Sequence, residues 1–182
     1  MLVAKQVADL LTITRVAIAF AYVYLGIARG ASGLYWTIWL LLLSWTTDVL
    51  DGLLARRSRV QYHTWLGDHD LEVDIFISAG LLVYMLLSKY VPYTVGLTYM
   101  LLWGFVFLRI GIPRSLGMLL QAPVYGFFIY IAIRDAGGLG YVLIGYILTI
   151  VILTWPRFPQ DVVPGFIEGI LHLKRDNHDV KR

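Results

Sequence analysis

Four stretches of this chain, Leu10 to Ala28, Tyr90 to Leu108, Ser115 to Ile133 and Ala136 to Trp155, are nearly free of charge. Each is close to the length of about 20 residues that an α-helix needs to cross the hydrocarbon core of a bilayer. Helices without a polar face cannot sit on the surface of a soluble domain, so these segments belong in lipid. Two further apolar stretches, Leu34 to Thr47 and Ile75 to Ser88, are short when counted over uncharged residues alone. They span only if their helices take in the acidic positions that lie between them. The expected fold is all-α, a polytopic membrane protein with six transmembrane helices.

Composition agrees with this reading. The chain has 182 residues, of which 59% are hydrophobic and 15% charged, a balance more apolar than a soluble domain of this size tolerates. Trp36, Trp103, Tyr90, Tyr93 and Trp155 lie near the ends of apolar runs, where amphipathic rings favour the headgroup region. There is no cysteine, so thiolate and disulfide chemistry is excluded. Met1 to Arg15 lacks a small-residue cleavage site and is read as retained rather than as a signal peptide. No basic run suggests a nucleic acid as partner.

Basic residues set the orientation. With the N-terminus inside, Lys5, Arg15, Arg56, Arg57, Arg59, Arg109, Arg114, Arg157, Lys174, Arg175, Lys181 and Arg182 fall on the cytoplasmic side, and only Arg29, Lys89 and Arg134 on the other. That asymmetry fits six spans with both termini cytoplasmic in the cell membrane. Connections are short, so consecutive helices are antiparallel neighbours in one domain, residues 1–156, followed by a cytoplasmic tail, residues 157–182. The tail begins among Pro156, Pro159 and Pro164 and has the character of an interfacial segment.

Acidic residues at membrane depth are costly, by about 2.5 to 3.5 kcal/mol for a central Asp on insertion scales, and so are functional candidates by default. Asp48 and Asp51 stand three apart at the end of the second span, Asp70 and Asp74 four apart at the start of the third. In helices both spacings put the two carboxylates on one face, and the short loop between the spans lets the pairs face one cytoplasmic cleft. Four carboxylates so close require cations. An all-oxygen set suits Mg²⁺ or Mn²⁺ bound together with a substrate phosphate. Gly52 and Ala55 leave one helix side bare for a ligand, and Arg56 has the fork geometry to hold a phosphate.

At these positions the chain resembles the CDP-alcohol phosphotransferase family, whose signature is Asp-x2-Asp-Gly-x2-Ala-Arg, a spacer, then Gly-x3-Asp-x3-Asp. The first half reads Asp48-Val-Leu-Asp51-Gly52-Leu-Leu-Ala55-Arg56, and the last two acids are Asp70 and Asp74. The second motif glycine is displaced by one residue, with Leu66 at its position and Gly67 next to it. Leu11-Thr12-Ile13-Thr14-Arg15 is similar to the Leu-Thr-x2-Arg start of the family's first span, with Asp9 where Asn is common. The resemblance implies a transferase in which an acceptor alcohol attacks the β-phosphorus of a CDP-linked lipid such as CDP-diacylglycerol and CMP leaves. It further implies metal ligands at Asp48, Asp51, Asp70 and Asp74, the general base at Asp74, CDP contacts at Asp48, Gly52, Ala55 and Arg56, and a homodimer.

Other residues carry plainer readings. Asp68 and Glu72 read as solvated acids, and His69 as a loop histidine pointing away from the Asp70 and Asp74 face. His63, His172 and His178 show no ligand spacing. Trp45 and Trp65 read as interface aromatics, and Gln121 as a helix-packing amide. Arg109 and Arg114, between spans four and five, fit ordinary cytoplasmic charge, with a phosphate on the acceptor as the sharper reading. The competing functions are a cation transporter, which needs polar residues continuing to the far side, and a non-catalytic membrane scaffold.

Overall fold

The computed structural model describes residues 2–57, 70–155 and 164, and the side chains of residues 10–50, 71–155 and 164. The described chain is helical throughout: α1 (Leu2–Ala28), a 3-10 turn (Gly30–Gly33), α2 (Leu34–Arg57), α3 (Asp70–Leu87), α4 (Tyr93–Ile110), α5 (Arg114–Ala136) and α6 (Gly138–Leu153). Three segments, Leu10–Ala28, Tyr93–Ile110 and Arg114–Ala136, are long and apolar enough to cross a membrane, and α6 is a shorter apolar helix. The two short apolar stretches do take in their acids. The second continues without a break through Asp48 and Asp51 to Arg57, and the third begins at Asp70.

Helix ends follow local chemistry. Although apolar character begins at Tyr90, α4 starts only at Tyr93, because Pro92 is extended (φ −59°, ψ 138°) and caps the helix from outside. The fifth span runs past Ile133 through Arg134 and Asp135 to Ala136, which the sequence reading assigned to the sixth. Gly137 then adopts φ 55°, a conformation a side chain disfavours, and the chain turns directly into α6. Pro123 lies inside α5 without ending it, as membrane helices tolerate.

The core is built around α1 and α3, the most extensively packed pair. On α1 the buried positions Thr12, Arg15, Ile18, Ala19, Tyr22 and Leu25 recur with helical period, while Leu10, Ile13, Phe20, Tyr24 and Ile27 face outward. Lipid offers little hydrophobic drive between helices, so close association depends on small residues that admit backbone to backbone. Gly80 supplies this: a Cβ there would stand 2.9 Å from the Ala19 carbonyl oxygen and 3.2 Å from its Cα. α2 packs against α1, α5 against α3, and α6 against α5 and α2. α4 is the outlier: Gly96 is its buried position, against Leu86, whereas Leu97, Leu101, Phe105 and Leu108 are exposed as lipid-facing positions would be.

The two ends of the bundle differ. At one, the Tyr84 hydroxyl donates to the Gly30 carbonyl at 3.2 Å, tying α3 to the turn between α1 and α2. At the other lie the end of α2, the start of α3 and the start of α5, where Gly117 packs against Leu71 and Ile75. The acids are at this second end.

Candidate active site

Arg15 lies little more than one turn inside the apolar part of α1, which begins at Leu10, and is completely buried. Its guanidinium donates to Asp74 Oδ1 on α3 and lies 3.5 Å from Asp48 Oδ1 on α2. Three helices thus contribute to one charge cluster. The arrangement is asymmetric in exposure: the Arg15 side chain is 1% exposed, those of Asp48 and Asp74 51% and 31%. The cation therefore sits beneath, and the acids open outward from it. A buried guanidinium is tolerable only when paired, and two carboxylates from neighbouring helices meet that need.

An aromatic wall flanks the cluster. Tyr125 on α5 lies within electrostatic reach of Arg15 and Asp48. Trp45 meets Tyr125 edge-on, with ring centroids 5.7 Å apart, and stacks on Tyr146 of α6 at 6.0 Å. The Tyr146 hydroxyl is 3.1 Å from Thr46 Oγ1, whose own proton goes to the Leu42 carbonyl, so the tyrosine is the donor between them. Trp45 is consequently half-buried between helices, edge-on to one tyrosine and stacked on the other. Deeper on α1, the buried Tyr22 hydroxyl has no hydrogen-bond partner among the described residues.

Of the four motif acids, the structure brings together Asp48 and Asp74. Asp51 lies one turn further along α2 and Asp70 opens α3, but their side chains, like those of Gly52, Ala55 and Arg56, lie outside the described residues. So do Leu66, Gly67, Asp68, His69, Trp65 and the other three histidines. Glu72 is exposed, as a solvated acid should be. Among the described residues no group of three or more His, Asp or Glu side chains gathers as a metal site. The two acids that are described suit a hard cation: both are oxygen donors, from different helices, already directed at one positive charge.

Arg109 and Arg114 are exposed on either side of the linker from α4 to α5. Arg109 lies over the Phe105 ring at 5.2 Å. The contact of Gly117 with Leu71 sets the Arg114 end of α5 beside the acid-bearing start of α3. Gln121 is half-buried on the same helix.

Reading the sequence assigned no role to Arg15 beyond orientation and a motif start, and none to Tyr125. The signal for Arg15 was present: a lone ionisable residue inside an otherwise apolar span. Nothing in the sequence distinguishes Tyr125 from the other tyrosines of its helix.

The family model for CDP-alcohol phosphatidyltransferase matches residues 5–155, spanning α1 to α6 and the whole acid motif. The chain belongs to the CDP-alcohol phosphatidyltransferase family. Members of this family are transferases that take a phosphatidyl group from a CDP-alcohol donor to an alcohol, and they generally depend on a divalent metal. No curated protein and no solved structure matches the chain significantly. For a CDP-alcohol phosphatidyltransferase, the convergence of Asp48 and Asp74 on one arginine joins the two halves of the motif, 26 residues apart in sequence.

Proposed function

We propose that this chain transfers the phosphatidyl group of a CDP-linked lipid such as CDP-diacylglycerol to a small alcohol, releasing CMP, within phospholipid biosynthesis. The observation that carries the proposal is the meeting of Asp48 and Asp74 around a single cation at one end of the bundle, in a member of this family. In this reading all six helices cross the cell membrane, both termini are cytoplasmic, the lipid tails stay in the bilayer and the headgroup reaches the acid-bearing end. A homodimer is the expected assembly.

Asp48, Asp51, Asp70 and Asp74 would hold Mg²⁺ or Mn²⁺. Bound there, the metal would offset the charge of the pyrophosphate and of the departing CMP. Asp74 takes the proton of the acceptor hydroxyl as its oxygen bonds to the β-phosphorus and the bond to CMP breaks. A carboxylate suits this role when a fixed donor aims it, and the Arg15 hydrogen bond does so. Gly52 and Ala55 leave room along α2 for the cytidine diphosphate, with Asp48 and Arg56 as its polar contacts.

The transporter alternative calls for a polar path through the bundle. The buried hydroxyls of Thr37, Thr47 and Ser78 instead donate to carbonyls of Gly33, Ser44 and Ile75 nearby in the chain. Such hydroxyls satisfy themselves and offer no relay. The reading is tested by CMP release from CDP-diacylglycerol with a panel of alcohols and Mg²⁺, with and without EDTA. If no alcohol yields CMP from folded protein, the scaffold reading takes its place.

Arg114, with Arg109, is proposed to bind a phosphate on the acceptor, such as that of glycerol 3-phosphate. Arg114→Ala should then raise the acceptor KM about tenfold or more, the loss expected for a charge-assisted phosphate contact. The KM for the CDP-lipid should change far less. Equal changes in both would rule the role out.

A further inference from the structure

The acids of this site come with a cation of their own. Arg15 is buried and reaches carboxylates on two other helices. We propose that Arg15 is a built-in counter-cation that weakens the binding of a divalent cation to Asp48 and Asp74, so that the metal is held firmly only together with the anionic donor. This inference rests on the functional reading above and concerns the regulation of that same site.

The argument is one of charge. Among the described residues, two carboxylates and one guanidinium leave a net charge of −1 where these acids alone would carry −2. Oxygen sites tune their affinity for divalent cations by the number of uncompensated ligand charges. Nη1 of the guanidinium is 3.5 Å from Asp48 Oδ1 and Nη2 donates to Asp74 Oδ1, so any ion engaging both oxygens meets a fixed positive charge at close range. Burial prevents relief by simple swinging into water.

The pyrophosphate of a CDP-linked donor changes this balance. It brings negative charge to the same end of the bundle, where Asp48 and Asp74 would hold the divalent cation together with it. Cation and donor thus reinforce each other's binding, each paying less for the presence of Arg15 when the other has arrived. A site without Arg15 would take up the cation alone.

The test is Mn²⁺ binding to the full chain in detergent micelles, read from the electron paramagnetic resonance signal of free Mn²⁺, with no nucleotide present. Arg15→Met should bind Mn²⁺ about tenfold or more tightly than the unmodified protein, the order expected for removing one nearby charge. Arg15→Lys, which keeps the charge, should stay near the unmodified value. If the Met variant does not fold, Arg15→Gln, which retains a donor without the charge, carries the same comparison. Equal or weaker Mn²⁺ binding in the neutral variants overturns the inference while leaving the functional reading intact, provided Asp74→Asn reduces binding. If neither the unmodified protein nor any variant binds Mn²⁺ at millimolar concentration, the metal part of the functional reading fails, and the inference with it.

Discussion

Asp74→Asn is expected to reduce CMP release by about 10²- to 10⁴-fold, the range over which a positioned general base contributes. Asparagine matches the shape of aspartate and still offers an oxygen to the Arg15 guanidinium, so the hydrogen bond between α1 and α3 can persist. What disappears is the negative charge, and with it the proton acceptor and one cation ligand. Because Arg15 is buried and loses one of its two charged partners, some stability is lost, limited by the amide oxygen that replaces the carboxylate and by Asp48, which remains. The measurement is therefore twofold: CMP release per mole of protein, and the thermal midpoint of the same preparation. Lost activity with only a limited fall in the midpoint supports the assignment. Retained activity in Asp74→Asn would remove Asp74 from the chemistry and leave it a structural partner of Arg15.

Gly80→Leu is expected to be the most disruptive single change to the fold. At this position even a methyl would stand 2.9 Å from the Ala19 carbonyl oxygen and 3.2 Å from both Cα and Cβ of that residue. Those neighbours are backbone or fixed to it, and cannot rotate aside. Adding a methyl to such a contact costs about 1 to 3 kcal/mol, and a leucine more, since α1 and α3 must move apart bodily. The separation also draws Arg15 away from Asp74, so catalysis falls in the molecules that remain folded. Denaturant titration in micelles and CMP release report the two effects independently. Ala19→Gly combined with Gly80→Ala should restore part of the loss, because it removes the Cβ contact but leaves the carbonyl in place. A Gly80→Leu protein with an unaltered midpoint would show that the two helices are not held at contact distance.

Much of this architecture is legible in the sequence because lipid imposes simple rules. Uncharged runs of span length mark α4 and α5, and the acid pairs, too short a distance from the apolar stretches to be separate, lie on helices continuous with them. The boundaries were harder. Gly137 ends one helix and Pro92 delays another through backbone angles that hydropathy does not register. Arg134 and Asp135 remain helical beyond the apolar run because they satisfy each other, with Arg134 donating from Nε and Nη2 to the two carboxylate oxygens at 2.6 and 2.8 Å.

Within the site, spacing could align Asp70 with Asp74 and Asp48 with Asp51, since each pair belongs to one helix. It could not show which residue of a third helix would meet them. Arg15 is 59 positions from Asp74 in sequence. Charge bias accounts for Arg15 as an inside-facing residue and carries no sign of its burial. Trp45 is a parallel case. Its position near a helix end is legible, whereas its partners Tyr125 and Tyr146, far along the chain, are not.

The same 59 positions have a consequence for how the protein is made. Chains are synthesised from the N-terminus, so α1 leaves the ribosome with its arginine before Asp48 exists, and well before Asp74. During that interval the guanidinium has no partner from α2 or α3, and an isolated arginine inside a helix opposes insertion at its centre. Arg15 can wait near the surface by extending its side chain toward headgroups. The contacts that bury the first helix, Arg15 with Asp74 and Ala19 with Gly80, can therefore form only after α3 has been made.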